Sequence, residues 1–260
     1  MANEKFERTE KKFWMNTWQY EQIKPVLSEH MEMDKFGHSK IRNIYCDSDD
    51  YVLIRKSLEH PKFKEKLRIR SYSGFESDAP VFVEIKRKVL GIGYKRRIEV
   101  PFEQAKQLLS GKRIDAGNTQ IEHELEEFIK RYNPKPKVYL TYERTAMTGK
   151  DDAALRITLD RDLRYRLYNE KLDFRKEGIP VMEDESMVLM EVKAPGCMPG
   201  WLIDILSELR IYQTSFSKIG TCFTKYIAPD LNIGSLAYRE PIRFKPGGSM
   251  HMIFPRTVNL

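Results

Sequence analysis

The stretch VFVEIKRKV, Val81–Val89, alternates with the period of a β-strand. Val81, Val83, Ile85 and Val89 share one face, and Glu84, Lys86 and Lys88 share the other. Strands normally turn charged residues to water. The alternative is a lining around an interior that holds something strongly negative, and the choice between the two decides the fold.

Six further segments repeat the pattern. EKLRIRSY aligns Lys66, Arg68 and Arg70 opposite Leu67 and Ile69, and YKRRIEV aligns Lys95, Arg97 and Glu99 opposite Ile98 and Val100. FERTEKKF gives Arg8, Glu10 and Lys12, VYLTYERTA gives Tyr142 and Arg144, and ALRITLD gives Arg156, Thr158 and Asp160. VLMEVKA sets Glu191 and Lys193 against Val188, Met190 and Val192. Any one of these taken singly reads as an ordinary solvated face. Together they stack cations ~5 Å apart across neighbouring strands, which costs stability unless an anion compensates. An inward-facing cationic lining with an anionic ligand meets that condition. Arg forks suit phosphate, and a Glu among them suits a divalent cation bridging to phosphate oxygens.

The periodicity predicts strands near 5–13, 41–46, 51–56, 64–72, 80–88, 94–100, 137–145, 154–160 and 186–193. Helices are predicted near 17–31, 101–110, 119–131 and 199–211, and TSFSKIGTCFTKY (Thr214–Tyr226) reads as helical with Ser215, Ser217 and Lys218 near its start. Short turns such as SYSGFESDAP and VLGIGYK favour antiparallel pairing. The expectation is a single α+β domain over 1–260: an antiparallel β-barrel of about eight strands, closed or nearly so, with packing helices outside. Its core covers about 5–226, and 227–260 is a tail without usable periodicity.

Bulk properties narrow the partners. The chain has 260 residues and a formal net charge of +7, which favours anionic ligands in general. Cys46, Cys197 and Cys222 lie far apart with no Cys-x-x-Cys pair, which speaks against a zinc site or disulfide framework and for a reducing cytoplasm. The opening residues lack a secretory apolar region, and no run reaches the ~20 apolar residues of a membrane span. A soluble, cytoplasmic protein is expected. The five histidines show no ligand spacing.

TEKKF, KLRIRSY, VEIKRK, YKRRIEV, YERTA, LRITLDRDL, MEVKA and SFSKI, in this order between about Glu7 and Tyr226, resemble the triphosphate tunnel metalloenzymes. Within them the chain is most similar to the VTC-type polyphosphate polymerase domain of the vacuolar transporter chaperone complex and its stand-alone bacterial relatives. The resemblance implies a tunnel barrel that transfers the γ-phosphoryl group of ATP to a growing inorganic polyphosphate chain, with Mn²⁺ or Mg²⁺. Carried over by position, it implies that Arg68, Arg70, Lys86, Arg144, Arg156 and Lys218 act on the transferred phosphate. Lys12, Lys95, Arg97, Tyr142, Lys193 and Ser217 would bind substrate, and Glu191 and Glu10 would hold the metal. The superfamily's first-strand Glu-x-Glu-x-Lys is here Arg8, Glu10 and Lys12, a departure that weakens the case for a hydrolase. A triphosphatase or nucleotide cyclase of the same superfamily, or a non-catalytic polyphosphate or inositol phosphate module, stays open at this stage. Nucleic acid is set aside because the cations alternate with apolar residues inside strands. A regulatory or membrane partner is left open.

Overall fold

The computed structural model describes residues 8–59, 61–90, 92–114, 116–117, 119–169 and 171–231. Residues 5–7 of the predicted first strand and 232–260 of the predicted tail lie outside them. In chain order the elements are β1 (Arg8–Met15), α1 (Thr17–His30), β2 (Met31–Asp47), α2 (Val52–Leu58), β3 (Phe63–Ser71), β4 (Pro80–Val89), β5 (Ile92–Pro101), α3 (Phe102–Leu109), α4 (Thr119–Tyr132), β6 (Lys135–Gly149), β7 (Arg156–Leu167), β8 (Ile179–Pro180), β9 (Val188–Pro195), α5 (Gly200–Glu208), β10 (Gln213–Thr214) and α6 (Lys218–Cys222). A π-helical turn, Phe223–Ile227, extends α6.

All ladders are antiparallel, and the sheet runs β10-β1-β9-β7-β6-β2-β3-β4-β5, with β8 on β7. Among the described residues no ladder joins β5 back to β1 or β10, so the barrel is curled rather than closed by hydrogen bonds. The curl shows in contacts across the lumen. Lys66 on β3 donates to Ser217 Oγ at 3.3 Å, beyond β10, and the Glu10 carboxyl on β1 feels the Lys86 charge on β4. The fold is the expected α+β tunnel barrel with an open seam.

The apolar strand faces point outward and are covered by helices. Val83, Ile85, Ile98 and Val100 pack under Ala105 and Leu108 of α3 and Leu125, Phe128 and Ile129 of α4. On the other side of the barrel Met190, Val192 and Ile157 pack under Ile23 and Leu27 of α1 and Leu202 and Leu206 of α5. A third cluster lies on the lumen face: Leu140 and Val138, in the same alternation as Tyr142 and Arg144, pack with Ile54, Ile219 and Phe223 and fill one end of the interior. With the outer face used this way, the charged face of Val81–Val89 has only the lumen left.

One predicted strand is wrong. Residues 52–56 belong to α2, with Tyr51 just ahead of it, because Asp47 and Ser48 supply acceptors for its first turn: the Asp47 carboxylate accepts the N–H groups of Leu53 and Ile54, both at 2.9 Å, and Ser48 Oγ accepts that of Val52. The strand-favouring run YVLI, with β-branched Val52 and Ile54, was outweighed by these two acceptors. Other helix ends are capped as well. Asn16 and Gln19 form a reciprocal capping box on α1, and Gly111 takes the left-handed conformation (φ +81°) after α3. Among the described residues no helix is long and apolar enough to cross a membrane.

Candidate functional site

Period-two alternation brings the charged rows to one surface, and the register fixes who faces whom. Across β3 and β4, Arg68 opposes Glu84 and Lys66 opposes Lys86. Across β4 and β5, Glu84 opposes Arg97 and Lys86 opposes Lys95. Across β1 and β9, Lys12 opposes Glu191 and Glu10 opposes Lys193. Across β7 to β6 and β9, Asp160 opposes Arg144 and Arg156 opposes Lys193.

One wall of the lumen is a compensated ion network. Asp160, 0% exposed, accepts from Arg144 Nε at 2.6 Å and its terminal nitrogen at 2.7 Å, and from Lys218 Nζ at 2.7 Å. Lys218 also reaches Glu191 at 2.9 Å, Arg144 reaches Glu191 at 3.2 Å, and Lys12 lies 3.7 Å from it. Burial pushes the Glu191 carboxyl up, but Lys218, Arg144, Lys12 and Lys193 outweigh it and hold Glu191 well below the usual carboxylate range. Tyr142 sits beneath: its hydroxyl accepts from Arg70, and Lys218 stacks 4.8 Å over its ring.

The facing wall is under-compensated. Glu84, 0% exposed, holds Arg68 at 2.6 Å and Lys95 at 2.5 Å. Burial opposes its ionisation, yet Arg68, Arg70 and Lys95 bring its pKa down to about 2. Lys64, Lys66, Lys86 and Lys88 share the same surface. Burial, then Lys64, Lys86 and Lys12, pushes Lys66 down to about 7, and burial with Arg68 pushes Lys86 down to about 8. Lys86 is accessible to water yet surrounded by protein, as a wet interior requires.

The chain segment after β10 crosses one end of the lumen. Lys12 Nζ donates to the Phe216 carbonyl at 3.0 Å, and Ser217 caps α6 by accepting the Gly220 N–H while also accepting from Lys66. Ser217 and Lys218 therefore bind two walls together, and Lys218 is spent on Asp160 and Glu191.

Of the sequence-derived candidates, Lys12, Arg68, Arg70, Lys86, Lys95, Arg144, Tyr142, Glu191, Glu10, Ser217 and Lys218 converge on this interior. Lys193 lies beside them, across the ladder from Glu10. Arg97 is at the rim, exposed, with its guanidinium 4.5 Å from the Phe82 ring centroid. Arg156 starts β7, is exposed, and makes no ion pair among the described residues. Lys66, Glu84 and Asp160 stood on the charged rows without an assigned role, and Asn43 lay outside the rows. Period-two alternation would put Asp160 and Asp162 on one face; a bulge in β7 with Asp162 at φ +49° separates them and sends Asp162 to Arg164.

For a divalent cation, Glu10 and Glu191 offer hard oxygen donors on adjacent strands, and burial-opposed Lys86, Lys193 and Lys12 keep Glu10 ionised. Among the described residues no group of three or more His, Cys, Asp or Glu side chains gathers as a cage. Two carboxylates fit an ion that takes its remaining ligands from phosphate and water, as Mg²⁺ does. Each carboxylate oxygen keeps a lone pair beyond its ion-pair partner.

No curated protein matches the chain. Solved structures that resemble it include a Bacillus halodurans protein described as a "putative adenylate cyclase", at 15% identity and a TM-score of 0.49 over 80% of this chain and 92% of that one. The PH1819 protein of Pyrococcus horikoshii OT3 resembles it at 15% identity and a TM-score of 0.44, over 84% and 99%. The family model of the VTC domain matches residues 7–226, the span that contains every strand and helix of the barrel, and the chain belongs to the VTC domain family.

Proposed function

We propose that the chain is a polyphosphate polymerase, taking ATP as phosphoryl donor and inorganic polyphosphate as acceptor. A terminal oxygen of the acceptor forms the new bond to the γ-phosphorus, the bond from that phosphorus to the β–γ bridging oxygen breaks, and ADP leaves with the electron pair. The observation that carries this reading is the under-compensated lysine wall of Lys64, Lys66, Lys86 and Lys88 inside the barrel. It faces a carboxylate-bearing wall that keeps its own charges paired.

Phosphoryl transfer asks mainly for alignment and charge stabilisation, which fits a site without a nucleophile. Arg68 and Arg70, fixed by Glu84 and Asn43, hold phosphate oxygens in preset directions. Arg144 and Lys218 orient Glu191. Mn²⁺ or Mg²⁺ held by Glu10 and Glu191 would neutralise charge on the transferring phosphate. Product then threads along the cationic lining.

Purified protein incubated with ATP and Mn²⁺ should release ADP and make long phosphate chains on a sizing gel. Free phosphate or cyclic nucleotide as the product would replace polymerisation with hydrolysis or cyclisation, and RNA displacing polyphosphate from the protein would move the reading to nucleic acid. Glu191→Ala should abolish metal-dependent ADP release, and unchanged release would remove Glu191 from the metal site.

A further inference from the structure

Towards one end of the lumen the inward rows change chemistry. On β3 the row Lys66, Arg68, Arg70 continues as Tyr72, and on β4 the row Lys88, Lys86, Glu84 continues as Phe82. Tyr72 and Phe82 meet edge to face, with centroids 5.8 Å apart. Phe36, from the irregular part of β2, lies nearly parallel to Tyr72 (13° between planes, 6.5 Å between centroids). The cluster is held in place. Asp34 Oδ1 accepts the N–H groups of Phe36 at 2.7 Å and Gly37 at 3.1 Å, and Gly37 turns the chain at φ +48°. Yet Phe36 remains 56% exposed and Tyr72 39% exposed, an aromatic surface at the rim left open among the described residues.

Cations link this surface to the lining. The Arg97 guanidinium lies over Phe82 at 4.5 Å and Arg70 lies 6.0 Å from the Tyr72 centroid, while both belong to the phosphate-facing rows. A ligand matching the whole run is anionic at one end and flat and aromatic at the other. Four residue steps along the strand lead from Lys86 to Phe82, a span of about 13 Å, comparable to the reach from outer phosphate to base in an extended nucleoside triphosphate.

We propose that Phe36 and Tyr72, backed by Phe82 and Arg97, form the docking platform for the nucleobase of the donor nucleoside triphosphate. This rests on the reading of the lumen as a triphosphate site. Bases stack on exposed aromatic faces and on Arg guanidinium planes with little dependence on base identity. The platform therefore distinguishes a nucleotide from inorganic phosphate chains, which use the cationic rows alone and have no ring to stack.

The test compares ATP with inorganic tripolyphosphate by titration calorimetry on the intact chain. Tyr72→Ala and Phe36→Ala should each weaken ATP about tenfold while tripolyphosphate affinity stays within about twofold of the wild type, and Tyr72→Phe should restore ATP binding. Equal loss of both ligands, or no loss of ATP, overturns the platform while leaving the triphosphate site standing. Wild-type protein that binds neither ligand overturns both. Phe36 carries most of its ring in solvent, so its variant reads the platform even if Tyr72→Ala perturbs the fold.

Discussion

The wall built from β1, β6, β7, β9 and α6 neutralises its own charge, and the wall built from β3, β4 and β5 does not. On the first, Arg144 and Lys218 lie on the buried carboxylates of Asp160 and Glu191, and Lys12 lies between Glu191 and Glu10. On the second, Glu84 satisfies Arg68 and Lys95, but Lys64, Lys66 and Lys86 crowd one another and their proton affinities fall. The first wall is rigid before any ligand arrives. On the second, burial and neighbouring cations lower the proton affinity of the lysines, and a bound anion would raise it again.

Breaking the compensated wall should have the largest effect. Asp160→Asn removes the bidentate partner of Arg144 and one partner of Lys218 at a fully buried position, leaving cations without their counter-charge. The expected loss is about 3–5 kcal/mol of stability, read as a drop in the midpoint of denaturant unfolding. Activity should vanish with it, because Glu191 loses the groups that orient it. A midpoint unchanged from the wild type would mean that this wall is not organised by its ion pairs.

The lysine wall should respond in the opposite sense. Lys66→Met removes a cation that repels its neighbours, so the free protein should unfold a few degrees higher. Tripolyphosphate should bind about tenfold more weakly, the value of one charge-assisted contact. The pH dependence has a definite sign. The native Lys66 loses its proton near 7 whereas the unfolded side chain holds it to 10.5, so between these values the unfolded chain binds more protons and stability rises with pH. A bound polyphosphate restores the proton. Binding should therefore take up protons, and affinity should fall from about pH 7 to 9, part of which belongs to Lys86 and survives Lys66→Met. Calorimetry in two buffers of different ionisation enthalpy measures the uptake. A variant that is less stable and binds as well as the wild type would erase the distinction between the walls.

The contrast was half visible in the sequence. Strand period alone puts Lys66, Arg68 and Arg70 on one face and Leu67 and Ile69 on the other, and the helices that cover the apolar faces, α3 and α4, carry their own stripes and caps. The seam was not visible, because whether β5 meets β10 depends on accumulated twist and on the short crossing at Phe216–Lys218. Nor was the partition into two walls. It depends on Asp160 entering the interior while Asp162, two residues on, leaves it, and a one-residue bulge has no signature in alternation. The helix at Val52–Leu58 was missed for a different reason: its cap was present at Asp47 and Ser48, but β-branched content argued for a strand.

Arg156 tests where the comparison ends. By alternation it belongs with the inner rows, and the resemblance places it on the transferred phosphate, but here it starts β7 at the surface, across the ladder from Lys193 and with no carboxylate paired to it among the described residues. A charge in that position acts through water, and at ~0.15 M salt its field is largely screened beyond ~8 Å. Arg156→Ala should leave Tm unchanged and alter ATP turnover by no more than about twofold at that ionic strength, with a larger loss emerging in dilute buffer. Long polyphosphate, which passes the rim, should feel the change more than tripolyphosphate. A hundredfold loss of ATP turnover at 0.15 M salt would instead mean that the rim closes over the ligand and that Arg156 joins the interior when substrate is bound.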